Sequence, residues 1–385
     1  MNYLDLEESE LKTLGALETA KEISGQPELW IDIFKKLVIE RERISSFMNQ
    51  ALDSVTKIIL TGAGTSAYIG HSVEGAMQRN TGLTTVSVAT THLVSHPQDY
   101  FQPEIPTLLI SFARSGDSPE SVAAVQLADK FCDNCYHLIV TCNEAGNLAS
   151  FDYKSESLVC LLPPDANDKG LAMTGSYTGM LLVALLLSEI DHITEMEKTV
   201  ETLTNYAEVL LSKKLDVIRN VASGKFKRAV FLGSGPQYGT AMESHLKLQE
   251  LTDGTIICKN DSYLGFRHGP KAVVNEETLL VYFFSNNENV LRYELDLVND
   301  MANGKKPLKQ IGVATQKLDA SSIDELIVLG QPGQLYKVKE EYLSVVTILL
   351  GQLIGFYKSL DLGLQPDSPS TTGAISRIVQ GVKIY

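Results

Sequence analysis

One stretch of the sequence, AMESHLKLQELTDG, places three charged residues at a spacing suited to proton chemistry. Glu243, Lys247 and Glu250 fall at i, i+4 and i+7, so on a helix they share one face. A charged stripe on a helix is ordinarily solvated. Here Leu246, Leu248 and Leu251 surround the charges and imply partial burial. A partly buried carboxylate has a raised pKa and can carry protons near neutral pH. Farther on, FRHGP sets His268 in a turn before a helix expected to start at Pro270. Such a histidine is either bonded to backbone or an exposed acid–base group, because histidine titrates near physiological pH.

Two further stretches have the composition of an anion site. In IILTGAGTSAYIG an apolar run stops at Gly62 and Gly64, and Thr65 and Ser66 follow at once. Glycine lets backbone N–H groups approach a ligand, and a helix N-terminus offers unpaired donors with partial positive charge. The alternative is a tight turn with Ser66 as an ordinary helix cap. The run is not a Walker loop, since no GK[ST] follows, and the next strand, TTVSVAT, ends without the acid that holds a ribose. The second stretch, SFARSGDSPES, offers Ser115, Gly116 and Ser118 before Pro119, with Arg114 as a permanent, planar cation suited to phosphate. Ser118 also reads as an N-cap, although Ser121 stands where a capping box needs Glu or Gln. His92 and His96, in THLVSHPQDY, sit in a loop after a strand on the same expected side of the sheet and are secondary candidates.

These residues need a scaffold that delivers them to one end of a sheet. KIILTG, TTVSVAT, TLLISFA, HLIVTC and SLVCLLP read as strands separated by amphipathic helices such as PESVAAVQLADKF, the pattern of a parallel sheet covered on both faces. RAVFLGSGPQYG then repeats the opening unit, with Gly233 and Gly235 standing to Gly62 and Gly64 at an offset of 171 residues (233 − 62). TLLVYFF, QIGVAT and ELIVLG continue the second set. The expected fold is α/β, two tandem doubly wound parallel-sheet domains with an N-terminal helical arm. The expected boundaries are an arm over 1–50, a first domain over 51–200, a connecting helix over 201–224, a second domain over 225–365 and a tail over 366–385. Pro236 replaces Thr65 in the second glycine turn, so only the first half carries the hydroxyls for an anion.

The bulk properties narrow the partners. The 385 residues carry a formal net charge of −14, which speaks against nucleic acid, so an anionic ligand must be held by local donors. The apolar segments starting at Met180 and Leu343 fall short of the roughly 18 apolar residues that suggest a membrane span. The N-terminus is acidic, without the order of a signal peptide, and a cytoplasmic protein without membrane association is expected. Among five cysteines, Cys132 and Cys135 form a CxxC pair near His137, but no second knuckle exists, so no metal is expected.

Taken together, GAGTS, SGDS, LKLQE and HGP, in that order across two glycine-turn repeats, resemble the sugar isomerase (SIS) superfamily. The resemblance covers nearly all of the chain after residue 50. It is closest to the isomerase half of glucosamine-6-phosphate synthase and, within the superfamily, to the galactosamine-6-phosphate deaminase group, also called tagatose-6-phosphate ketose/aldose isomerases (the AgaS type). It implies phosphate binding by Gly64, Thr65, Ser66, Ser115 and Ser118. Arg114 occupies a place where the synthase has a Ser-Gln-Ser run. It implies that Glu250 moves a proton between C1 and C2 with Glu243 and Lys247 in support. His268 would open the sugar ring, lent by the other subunit of a homodimer or larger oligomer. It implies no cofactor, and a C-terminal tail closing on the active site.

Two departures from the synthase shape the expected reaction. Its glutaminase domain is missing, so the reaction should release ammonia or be plain isomerisation. Its Schiff-base lysine corresponds to Gln380 here, with Lys383 three residues on. The expected activity is conversion of galactosamine 6-phosphate to tagatose 6-phosphate and ammonia, by ring opening and C1–C2 proton transfer. Aldose–ketose isomerisation of non-amino sugar phosphates, a non-catalytic sugar-phosphate sensor and a sugar-phosphate ether lyase are the alternatives. The acidic start, with no basic helix-turn-helix arm, speaks against a transcriptional sensor.

Overall fold

The computed structural model describes residues 1–331, 333–334, 336–377 and 381–385. It opens on a short antiparallel pair, β1 (Asn2–Tyr3) and β2 (Leu6–Glu7), which reverses through Leu4 and Asp5 at φ 52° and 59°. The helical arm expected over the first 50 residues follows as Glu8–Thr13, Leu17–Ser24, Gln26–Ile39 and Arg41–Ser54. The opening pair escapes a sequence reading because its turn uses Leu and Asp where glycine or asparagine would signal positive φ. The chain divides into two compact units. One comprises residues 28–168, 175–201 and 376–385, and the other comprises 1–27, 169–174 and 202–375.

The first of these is built on β3 (Lys57–Thr61), β4 (Thr84–Ser87), β5 (Thr107–Ala113), β6 (Cys135–Thr141) and β7 (Glu156–Leu161), in the order β4-β3-β5-β6-β7. Every pairing is parallel. β5 and β6 are buried at every residue, which is why they read as unbroken apolar runs rather than alternating ones. Ile59, Leu109, Val125 and Ile139 lie in the core on one side. The helix Gly175–Leu187 is buried along its whole length. Several of its polar groups bond within the unit. Trp30 Nε1 donates to Thr178 Oγ1 at 3.0 Å, and the Asp168 carboxylate accepts the N–H groups of Gly175 and Ser176 at 2.9 Å each.

The second unit repeats the plan with β8 (Arg228–Leu232), β9 (Ile257–Asp261), β10 (Thr278–Phe283), β11 (Lys309–Ala314) and β12 (Glu325–Val328), in the order β12-β11-β10-β8-β9. In both sheets the second strand lies outside the first, and the third, fourth and fifth run the other way. The repeat extends to backbone angles: Gly64 has φ 56° and ψ −127°, and Gly235 has φ 53° and ψ −126°. This is the duplicated doubly wound α/β fold. β9 is the one sheet strand that the apolar runs do not announce, since it is an edge strand of sequence ICKND with no buried residue. The segment after Ile190 forms a 3-10 turn, the helix Glu197–Glu208, a π turn and the helix Leu215–Ala222.

The helix Glu340–Asp361 has the length and apolarity of a membrane span, yet 94% of its most apolar window is buried inside the protein, so it serves as a core helix. It packs on the helix Pro236–Leu251 at two glycines. A Cβ on Gly351 would lie 2.3 Å from Ser244 Oγ, and one on Gly355 would lie 2.9 Å from Leu251 Cδ1. This close approach fixes the helix that carries Glu243, Lys247 and Glu250.

Candidate active site

On the helix Pro236–Leu251 the three charges are joined. Lys247 Nζ lies 3.2 Å from Glu243 Oε1 and 2.6 Å from Glu250 Oε2. The side chains of Glu243 and Lys247 are 0% and 1% exposed, whereas that of Glu250 is 23% exposed. The stripe is therefore a buried ion set with one accessible carboxylate, not a solvated face. Burial opposes the charge on Lys247, but the adjacent Glu243 and Glu250 carboxylates outweigh it and raise the lysine above its ordinary pKa. The lysine also fixes Glu250 through a direct hydrogen bond. His245, on the same helix, bonds through Nδ1 to the Met242 carbonyl, and burial lowers its pKa, so it stays neutral near pH 7.

His268 lies between the helix Tyr263–Phe266 and a 3-10 turn, Pro270–Val273, which is shorter than the helix expected from Pro270. Its N–H donates to the Gly265 carbonyl at 3.0 Å, and Gly269 follows at φ 114°, a conformation that favours glycine. The imidazole is exposed.

The two hydroxyl-rich loops belong to the other unit, where they leave neighbouring strands β3 and β5, the pair at which the strand order reverses. That is the switch point at which open α/β sheets bind ligands. Thr65 and Ser66 are 5% and 4% exposed in the first turn of the helix Thr65–Thr81. Gly64, not Ser66, occupies the cap position, because only glycine readily takes its positive φ. Ser66 is therefore free of the capping role. A Cβ on Gly62 would lie 2.6 Å from the Ser66 carbonyl carbon, so the glycine lets the turn close.

In the second loop Ser118 caps the helix Pro119–Phe131. Its Oγ accepts the Ser121 N–H at 3.3 Å and donates to Ser121 Oγ at 2.6 Å. The Ser118–Ser121 hydroxyl pair is not the capping-box bond, which runs from the third residue's side chain to the cap N–H. Ser115 Oγ accepts the Asp117 N–H at 3.3 Å, and Gly116 has φ 73°. Arg114 is buried and donates through Nη2 to the Arg377 carbonyl at 2.5 Å. Arg377 is the residue near this site that the sequence reading missed.

The remaining candidates differ in setting: the helix that bears His92 starts against the first glycine turn, where the Thr90 N–H donates to the Gly62 carbonyl at 2.9 Å. Lys383 is exposed, with Nζ 5.0 Å from the Tyr385 ring centroid, and Gln380 lies outside the described residues. His92 and His96 are exposed, and the expected loop is the helix Thr90–Ser95 with His96 just after it. His137 is a core histidine whose Nε2 pairs with Asp129 Oδ1 at 2.8 Å. Among the described residues, no three His, Cys, Asp or Glu side chains gather as a metal site.

A duplicated switch-point sheet with a hydroxyl-lined loop pair places this chain in a known structural class. Residues 51–189 match the SIS domain. The chain is 38% identical over 385 residues to D-galactosamine-6-phosphate deaminase AgaS of Shewanella sp. (strain ANA-3), covering 99% of this chain and 95% of that one. A crystal structure from Clostridium novyi NT, solved as a candidate tagatose-6-phosphate ketose/aldose isomerase, superposes with a TM-score of 0.96 at 39% identity, covering 100% of this chain and 99% of that one. The tagatose-6-phosphate ketose/aldose isomerase structure from Escherichia coli superposes at 0.86 with 35% identity, covering 96% of each chain. The chain belongs to the SIS family, in the branch formed by its AgaS relatives.

Proposed function

We propose that this protein is an amino-sugar-phosphate deaminase that converts galactosamine 6-phosphate and water to tagatose 6-phosphate and ammonia. The observation that carries the reading is the buried Glu243–Lys247–Glu250 set, in which only Glu250 reaches solvent. A sensor has no use for a carboxylate held beside a buried cation and exposed at one side. The 38% identity to a named deaminase supplies the substrate class.

The steps follow from the residues. Gly64, Thr65, Ser66, Arg114, Ser115 and Ser118 hold the 6-phosphate and supply position rather than chemistry. His268 assists proton transfer between the ring oxygen and the anomeric hydroxyl, which opens the pyranose. Glu250 removes the C2 proton, giving an enolamine, and returns it to C1. The C2 imine that results adds water and expels ammonia, leaving the ketose. Lys247 holds Glu250 in place by a hydrogen bond, and Glu243 balances the lysine.

The same reading assigns the phosphate to the domain expected over 51–200 and the proton shuttle to that over 225–365. It has the tail close on the substrate, and it has the chain work in the cytoplasm as a homodimer or larger homo-oligomer that lends His268 across its interface. A second reading, isomerisation of a non-amino sugar phosphate by the same shuttle, is favoured by the solved relatives described as ketose/aldose isomerases. Parallel assays decide. Ammonia release from galactosamine 6-phosphate supports the deaminase. Interconversion of tagatose 6-phosphate and galactose 6-phosphate without ammonia release from any amino sugar supports the isomerase.

A further inference from the structure

The C-terminal segment is tied into the phosphate-loop unit through one residue. Arg377 Nε donates to the Asp168 carbonyl at 2.9 Å, and its Nη2 donates to Asn167 Oδ1 at 2.9 Å and again to the Asp168 carbonyl. The Arg377 carbonyl accepts from Arg114 Nη2 at 2.5 Å. Asp168 is itself fixed, since its carboxylate accepts the N–H groups of Gly175 and Ser176 at the start of the buried helix Gly175–Leu187. One line of bonds thus runs from a rigid core helix, through Asp168 and Arg377, to the guanidinium of the second hydroxyl loop.

We propose that Arg377 is a positioning residue for the phosphate site. Its side chain latches the tail to Asn167 and Asp168, and its backbone carbonyl orients the Arg114 guanidinium toward the loop of Ser115 and Ser118. A guanidinium has five donors in a rigid plane, so a carbonyl on one edge sets where the other edge points. Arg114 on the third strand's loop can serve a phosphate only in the orientation that the tail imposes. Affinity for the phosphorylated ligand then depends on a residue 263 positions away in the chain. The inference rests on the reading of this loop as the phosphate site.

The test measures inorganic phosphate binding by calorimetry, and KM and kcat for galactosamine 6-phosphate, in R377A, R114A and the double variant. R377A is expected to raise both the phosphate Kd and KM by about tenfold, the loss of one well-placed charged contact, with kcat unchanged. In the R114A background the same substitution should add nothing, because Arg377 acts through Arg114. N167A, which removes only the Oδ1 acceptor, should move KM the same way by a smaller factor. A silent R377A and N167A, or an equal effect of R377A with and without Arg114, overturns the latch while leaving the phosphate site standing. An R114A chain with unchanged phosphate affinity overturns both.

Discussion

Glu250 Oε2 accepts a hydrogen bond from Lys247 Nζ at 2.6 Å, and of the two side chains only the carboxylate reaches solvent, at 23% against 1%. The pair therefore presents a base to the outside while its counter-ion stays dry. Lys247 thus holds in place the one carboxylate of the set that a substrate can reach.

Removing the cation exposes its worth. K247M removes the cation 3.2 Å from the fully buried Glu243 carboxylate, a change of the kind that costs about 3–5 kcal/mol. Urea unfolding should show that loss. Without the lysine, Glu250 loses the hydrogen bond that orients it, so kcat/KM should fall as well.

Stability and catalysis separate in a second variant. E243L/K247M replaces the buried charges with apolar groups, and the partly exposed Glu250 can then be hydrated. Buried ion pairs replaced by well-packed apolar residues are often no less stable. The double variant should regain much of the stability lost in K247M yet stay slow.

The glycine turn offers a geometric test. Alanine at position 62 would put a Cβ 2.6 Å from the backbone of Ser66, which must then move. G62A should raise KM for the phosphosugar by an order of magnitude or more, because a misplacement of about 1 Å is enough to cost that much. A crystal structure of G62A with unmoved Thr65 and Ser66 and a normal KM would contradict the cradle.

Glu294 links stability to pH. Burial pushes its pKa from the ordinary 4.5 to about 8, the Glu340 carboxylate adds to the rise, and the Ser285 N–H and Ser234 side chain oppose it. Tyr263, the other titratable group that feels it, is buried and itself pushed up. The folded chain thus keeps a proton that the unfolded chain releases. The resulting stability is complete below about pH 4.5 and disappears as pH rises toward 8. E294Q should flatten that decline, so its advantage over the parent in chemical denaturation should grow from pH 5 to pH 8.

The proposed exchange of His268 between subunits is checked by mixing inactive chains. E250A and H268A, unfolded and refolded together, should recover activity in hybrid dimers. Absence of recovery, with hybrids present by mass spectrometry, would show that each chain uses its own histidine.

Much of this architecture is legible in the sequence for a physical reason. Strands buried on both faces, such as β5 and β6, must be apolar throughout, and a strand-to-helix turn at positive φ needs Gly64 and Gly235. The shared face of Glu243, Lys247 and Glu250 follows from helical spacing alone, but their burial does not. That burial depends on the helix Glu340–Asp361 approaching through Gly351 and Gly355. Edge strand β9 has too few apolar residues to announce itself. Arg377 was beyond sequence reasoning because its acceptor, the Asp168 carbonyl, lies 209 positions away, and a backbone acceptor leaves no trace in side-chain types.

The most direct test of the central claim is ammonia release from galactosamine 6-phosphate by the parent enzyme and by E250Q, with phosphate binding measured on the same samples. The parent should release ammonia, E250Q should release it at least about a hundredfold more slowly, as for loss of an acid–base group, and both should bind phosphate equally. Undiminished release by E250Q would contradict the claim, because the proton transfer would then belong to another residue.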